Sequence, residues 1–339
     1  MEQAPTQETS TSHRPTVIET GGLAKRFGEI EAVRGVDLTV YAGETFGFLG
    51  PNGAGKSTTI SMLCTLAKPT GGWARVAGHD VLGEPTQVRR CIGLVFQDTT
   101  LDGDLTAEEN LRLHAELYGV PRQEVNVRLK RVMDMVELWD RRRSQVKTFS
   151  GGMKRRLEIA RGLLHSPQVL FLDEPTVGLD PQTRSHIWGY LNELKRQEAI
   201  TTFLTTHYME EAEYCDRIAI IDHGQIVVTG TPQELKDSVG KDRVTLRTEN
   251  DEQAKQALLE RFELEAVSGS EGLTVHVAQA EEFIPKLVGG LGVAVRSVEM
   301  ARPTLDDVFM TYTGRTIRDA EAGAGESMRA WMQMARRRR

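Results

Sequence analysis

The run Gly50-Pro51-Asn52-Gly53-Ala54-Gly55-Lys56-Ser57 confines this 339-residue chain to a small set of folds. Gly50, Gly53 and Gly55 let the backbone turn its N–H groups inward, where they can surround an anion. A helix that follows aims the positive end of its dipole at the same point. The pattern G-x-x-x-x-G-K-[ST] suits the phosphates of a nucleotide: Lys56 reaches the β- and γ-phosphates, and the Ser57 hydroxyl can ligate Mg²⁺. The flanks fit this reading. Thr45-Phe46-Gly47-Phe48-Leu49 has the character of a short buried strand, and residues 58–66 that of a helix. Strand, glycine loop and helix in that order predict the start of an α/β nucleotide-binding sheet. The alternative, a glycine-rich turn that happens to hold a lysine, has no reason to occur in that context.

A second motif lies downstream. Val169-Leu170-Phe171-Leu172-Asp173-Glu174 is an apolar strand with two acids at its carboxyl end. By itself such a sequence is more often a strand meeting a solvated turn. In the same sheet as a phosphate loop, it delivers Asp173 to the metal shell and places Glu174 to polarise the attacking water as general base. Between the two motifs stands Phe149-Ser150-Gly151-Gly152-Met153, a small-residue loop opening another helix and hence a second anion-binding helix end. Taken singly, Ser-Gly-Gly is also what a plain serine-capped helix start looks like.

Composition narrows the classes further. Lys plus Arg number 42 and Asp plus Glu 48, a formal net charge of −6, which argues against a surface dedicated to coating nucleic acid. No run approaches the ~20 apolar residues of a membrane-spanning helix. Cys64, Cys91 and Cys215 are far apart and odd in number, indicating neither a disulfide framework nor a zinc site. Residues 1–15 are polar, lack a signal peptide's apolar stretch and are expected to be a disordered tail on a cytoplasmic protein. Short strands are predicted at 17–19, 36–40, 201–205 and 217–222. Residues 105–139 are charged and helix-patterned, predicting a mostly helical insertion, followed by a helix over 153–164. Near Gly240 the character changes, and residues 242–313 alternate strand and helix as a small α+β domain. In the tail, Met328, Trp331, Met332 and Ala335 fall on one helical face ahead of Arg336-Arg337-Arg338-Arg339; a membrane or partner contact is possible there, a loose basic end more expected.

With these motifs in order, the chain resembles the nucleotide-binding subunit of an ATP-binding cassette (ABC) transporter, of the multidrug or daunorubicin-resistance exporter type. The resemblance covers about residues 17–235. Gly50 to Thr58 match the Walker A loop, Val169 to Glu174 match Walker B, and Phe149 to Met153 match the family signature. Asp180, in Gly178-Leu179-Asp180-Pro181, matches the D-loop. Gln97, in Leu94-Val95-Phe96-Gln97-Asp98, matches the Q-loop, and His207, in Leu204-Thr205-Thr206-His207, matches the switch histidine. Phe27 sits where the family places an adenine-stacking aromatic, though such a residue is otherwise usually core.

The resemblance implies a P-loop ABC-type nucleotide-binding domain over residues 16–240, with a helical subdomain over about 98–165. A C-terminal α+β accessory domain follows over 241–315, then a flexible basic tail over 316–339. Its implied cofactors are ATP and Mg²⁺, the metal held by Ser57, Asp173 and Gln97. ATP contacts are implied for Phe27, Gly50, Pro51, Asn52, Gly53, Ala54, Gly55, Lys56, Ser57, Thr58, Ser150, Gly151, Gly152 and Asp180. Lys56, Gln97, Glu174 and His207 are the implied catalytic groups. Implied partners are a second copy across two ATP molecules and a membrane permease encoded separately, which places the chain at the cytoplasmic face of the membrane, with no nucleic acid expected. One position departs from the family: its signature most often ends in Gln, and Met153 here carries no amide for a contact across the dimer. Two other functions are weighed. A soluble ABC ATPase acting on nucleic acid or the ribosome usually has long coiled-coil insertions or two cassettes, and a catalytically idle cassette would not need Lys56, Asp173, Glu174 and His207 together.

Overall fold

A computed structural model describes residues 14–198, 200–269, 272–315 and 317. The chain divides into two compact units, Met1–Val228 and Thr229–Arg339. The first unit opens with two long antiparallel strands, β1 (Thr16–Phe27) and β2 (Ile30–Tyr41). The sequence predicts only short strands here because Gly21-Gly22 interrupts the alternation. The ladder nevertheless continues across them as a bulge, its register slipping between Thr20 and Leu23 with Gly22 at φ 57°. After β3 (Thr45–Leu49) and α1 (Lys56–Leu63) come β4 (Gly71–Val76) and β5 (His79–Asp80), which complete a sheet of order β2-β1-β4-β5.

Helix α2 (Pro85–Cys91) leads into β6 (Ile92–Val95) and then the insertion: α3 (Ala107–Leu117), α4 (Arg122–Met135) and α5 (Gly151–Leu163). The stretch expected as mostly helical over 105–139 contains two helices. Gly119, at φ 66°, ends the first, and Pro121, which has no N–H to donate, precedes the second. A capping box starts α3: the Thr106 hydroxyl accepts from the Glu109 N–H, and the Glu109 carboxylate accepts from the Thr106 N–H.

The remaining elements are β7 (Val169–Asp173), α6 (Pro181–Glu198), β8 (Thr201–Thr206), α7 (Met209–Ala212), β9 (Arg217–Asp222) and β10 (Gln225–Gly230). They build a second sheet of order β10-β9-β3-β8-β7-β6, in which β9, β3, β8, β7 and β6 run parallel. Every residue of β3, β7 and β8 is buried, as expected for central strands covered on both faces. Phe203 packs at their centre, its ring 5.7 Å from Phe46, 5.7 Å from Phe48 and 5.5 Å from Phe171. Because these three strands are adjacent and parallel, Gly50, Glu174 and His207 leave the sheet at one edge. That edge, beyond the carboxyl ends of the strands, is where open α/β sheets bind ligands.

The second unit contains α8 (Pro232–Val239), β11 (Asp242–Thr248), α9 (Asp251–Phe262), β12 (Val267–Gly269), β13 (Gly272–Val277), α10 (Ala280–Gly290), β14 (Val295–Ala301) and α11 (Leu305–Thr313). Strands in the order β12-β13-β11-β14, all antiparallel, with two helices between them, make the split βαβ of ferredoxin-like folds. Val244, Leu246, Leu273, Val275 and Val277 bury one face of that sheet against Ala254, Leu258 and Leu287 of α9 and α10. No helix among the described residues is long and apolar enough to cross a membrane. The face expected from Met328, Trp331, Met332 and Ala335, the arginine run, and the first thirteen residues of the expected N-terminal tail lie outside the described residues.

Candidate active site

The phosphate loop folds as its glycines require. Gly55 has φ 107°, and a Cβ there would stand 2.5 Å from the Ala32 carbonyl oxygen. A Cβ on Gly50 would stand 2.2 Å from the Ile221 carbonyl oxygen. The loop is tied to the neighbouring strand by Gly50 N donating to the Thr206 carbonyl at 3.1 Å. Lys56 is the first residue of α1, and its Nζ turns back across the loop. It donates to the Gly50 carbonyl at 2.7 Å and the Pro51 carbonyl at 3.1 Å, and it pairs with Glu174 Oε1 at 3.2 Å. Pro51 and Ala54 are buried, Thr58 is half-buried, and Asn52 and Gly53 face outward.

Glu174 is the centre of the cluster. Its Oε1 also lies 3.3 Å from His207 Nδ1. Burial works to raise the pKa of this carboxyl, but the His207 hydrogen bond and the Lys56 charge outweigh it and hold the group below the usual carboxylate range. Glu174 is an anion, therefore, in position to accept a proton. Its backbone is unusual: φ is 45°, the left-handed region that a side chain with a Cβ seldom adopts. One anchor comes from β8, paired in register with β7 so that Thr205 faces Asp173. The Thr205 hydroxyl accepts from the Glu174 N–H at 3.0 Å and donates to Asp173 Oδ1 at 2.6 Å.

Ser57 Oγ donates to the same Asp173 Oδ1 at 3.1 Å. A hydroxyl and a carboxylate thus converge beside the loop, hard oxygen donors of the kind Mg²⁺ takes while keeping water and phosphate oxygens for the rest of its shell. The fit is to a metal carried mainly by the nucleotide. Among the described residues, no group of three or more His, Cys, Asp and Glu side chains could hold an ion by itself.

Other residues singled out from the sequence stand apart from this cluster. Gln97 follows β6 and is exposed, and among the described residues no hydrogen bond joins it to Ser57 or Asp173. Phe27 closes the β1–β2 hairpin with 52% of its surface exposed, and Lys25 Nζ lies 4.9 Å from its ring centre. Ser150 caps α5, accepting from the Met153 N–H at 3.2 Å. The next two residues pack on the segment that follows Glu174: a Cβ on Gly152 would meet Thr183 at 2.4 Å, and one on Gly151 would lie 3.7 Å from Leu179. Asp180 caps α6 by accepting from the Thr183 N–H at 3.0 Å and the Thr183 hydroxyl at 2.7 Å. These bonds lower its pKa.

Three further side chains reach the site with no role assigned to them by a motif. Thr205 is one. Glu211, on α7, is buried and accepts from the Thr176 hydroxyl and, at 2.6 Å, from the Thr206 hydroxyl. Burial raises its pKa against the pull of Thr206 and Arg184. Arg155, on α5, donates to the carbonyls of Asp173, Glu174 and Pro175. It sits in the basic run Lys154-Arg155-Arg156 that a sequence presents as solvated surface; only its register on α5 turns it inward.

Known proteins resemble this chain over most of its length. Residues 33–177 match the family model described as ABC transporter, and residues 230–313 match that of the ATP-binding protein DrrA1-3-like C-terminal domain. The daunorubicin/doxorubicin resistance ATP-binding protein DrrA of Streptomyces peucetius is 41% identical, over 90% of this chain and 95% of that protein. The linearmycin resistance ATP-binding protein LnrL of Bacillus subtilis is 36% identical, over 89% and 100%. The Nod factor export ATP-binding protein I of Cupriavidus pinatubonensis is 37% identical, over 89% and 92%. A solved ATP-binding subunit of an ABC transporter superposes with a TM-score of 0.60 at 32% identity, covering 66% of this chain and 93% of that one. A bacterial ABC transporter cassette solved as a dimer has a TM-score of 0.58 at 30% identity, covering 63% and 98%.

Proposed function

The chain belongs to the ABC transporter family as its ATP-hydrolysing subunit, and from that premise we propose how the site works and what it serves. The observation that carries the reading is the convergence of Lys56, Ser57, Asp173, Glu174 and His207 at one sheet edge beside a glycine loop. The loop's N–H groups and the start of α1 bind the β- and γ-phosphates, and the Lys56 ammonium adds a fixed positive charge. Glu174, held ionised, takes the proton of the attacking water. His207 fixes the orientation of that carboxylate and hydrogen-bonds the γ-phosphate. Ser57, Asp173 and Gln97 would hold Mg²⁺, which would supply positive charge to offset that of the phosphate oxygens. Phe27 stacks on the adenine.

Ser150 and Gly151 are exposed and Gly152 is half-buried at the start of α5. They serve the nucleotide of a second copy, with Asp180 beside them, so that two ATP molecules are enclosed between two chains. A related cassette solved as a dimer supports this arrangement. The closing and reopening of that pair drives a separate membrane permease at the cytoplasmic face of the membrane. The relatives' names, which concern daunorubicin, linearmycin and Nod factor, support export of a drug-like or antibiotic-like cargo. They do not favour a soluble ATPase working on nucleic acid or the ribosome. The accessory unit over 241–315 is assigned to regulation or dimer stability.

Lys56→Ala tests the reading. It removes a charge-assisted contact of about 1.5–3 kcal/mol, so ATP affinity falls at least tenfold, and drug tolerance conferred with the permease is lost. Unchanged ATP affinity would contradict it.

A further inference from the structure

Arg155 is 6% exposed, and burying a guanidinium is strongly unfavourable unless its donors are met. Here all are met. Nε donates to the Pro175 carbonyl at 2.5 Å, and Nη2 to the carbonyls of Asp173 at 3.1 Å and Glu174 at 3.3 Å. Nη1 donates to the Phe96 carbonyl and pairs with Glu158 Oε2 at 3.2 Å. Three consecutive carbonyls around Glu174 therefore share one rigid cation. Glu174 holds φ 45°, a conformation that persists only where its surroundings fix it. Thr205 fixes its N–H side, and Arg155 fixes its carbonyl side.

We infer that Arg155 is a positioning residue for hydrolysis, clamping the backbone of residues 173–175 so that the Glu174 carboxylate stays at the phosphate loop. The same guanidinium anchors Phe96, so the segment carrying Gln97, the helix opened by Ser150 and the base are fastened at one point. Plain adhesion between α5 and β7 would need only an apolar contact. Five planar donors aimed at one carboxylate and four carbonyls, three of them flanking a strained residue, are a geometric constraint instead.

The inference rests on the assignment of Glu174 as base, and the test separates the two. Turnover and ATP affinity are measured on the full chain for wild type, Arg155→Lys, Glu174→Gln and the double variant. Lysine keeps the charge but offers three donors from one point, which cannot span the four carbonyls. The expected result is a turnover lowered on the order of 10²-fold by Arg155→Lys, as for a base displaced by about an ångström, with ATP affinity within about threefold of wild type. In the Glu174→Gln background, Arg155→Lys should cause no further loss, because the group it positions is gone. Wild-type turnover in Arg155→Lys, an equal loss of affinity and turnover, or additive losses in the double variant would each overturn the inference. If the lysine variant does not fold, Arg155→Gln carries the same comparison. Full activity in Glu174→Gln would refute the base and the inference together; an inactive Glu174→Gln beside a fully active Arg155→Lys refutes the inference alone.

Discussion

Replacing Thr205 by valine exchanges one buried hydroxyl for a methyl group at nearly constant volume, so its effect isolates two hydrogen bonds. Glu174 N–H loses its acceptor at 3.0 Å, and Asp173 loses a donor at 2.6 Å while keeping Ser57. A buried N–H left unpaired costs about 1–3 kcal/mol, and a bond to an ionised carboxylate contributes about as much, part of which Ser57 recovers. The expected loss is about 2–3 kcal/mol, which lowers the melting temperature of a unit this size by about 5–10 °C. Turnover should fall too, because the left-handed Glu174 loses one of its two anchors. Thr205→Ser keeps the hydroxyl and should recover turnover, leaving a deficit of about 1 kcal/mol for the missing methyl group. Thermal unfolding and steady-state ATP hydrolysis on the three proteins read both effects. A valine variant melting within about 1 °C of wild type, with intact turnover, would refute the view that Thr205 holds the base.

Two further predictions concern other parts of the first unit. His114 packs against Tyr118 and His165, and burial, with Arg161 and His165 adding to it, pushes its pKa down to about 3. The unfolded chain protonates this residue near pH 6.5, so its stability contribution is full above that value and declines as pH falls toward about 3, at about 1.4 kcal/mol per pH unit. His114→Gln should remove that component from a pH series of urea titrations, and unchanged slopes would contradict it. In the phosphate loop, Gly53→Ala meets no atom within 4 Å and costs only its positive φ of 82°, about 1–2 kcal/mol. Gly55→Ala drives a Cβ against the Ala32 carbonyl and should abolish nucleotide binding; equal effects of the two in a nucleotide titration would sink the distinction.

Which parts of this were legible in the residues follows from how local the physics is. Strand, loop and helix around Gly50 are set by a few adjacent residues, and so are most elements between Asp242 and Thr313; both stand close to where the patterning puts them, except that α1 begins two residues earlier, at Lys56, and β12 (Val267–Gly269) is an added strand that breaks the alternation. The long β1–β2 ladder was hidden by Gly21-Gly22, since a bulge and a loop use the same residues. Nothing in Thr205-Thr206 distinguishes a site from a strand interior until the parallel register sets Thr205 opposite Asp173. Arg155 was hidden for the opposite reason: in a run of three basic residues, charge suggests solvent, and only tertiary packing supplies four carbonyls. Motifs name the groups that touch the nucleotide, whereas the groups that hold those in place are found by geometry.

The most direct test of the account is ATP turnover by the full chain and its Glu174→Gln variant, measured alongside ATP binding and size-exclusion elution. The variant is predicted to bind ATP with wild-type affinity, to lose hydrolysis, and to elute as an ATP-dependent dimer. A variant that hydrolyses ATP at the wild-type rate and remains a monomer would contradict the central claim.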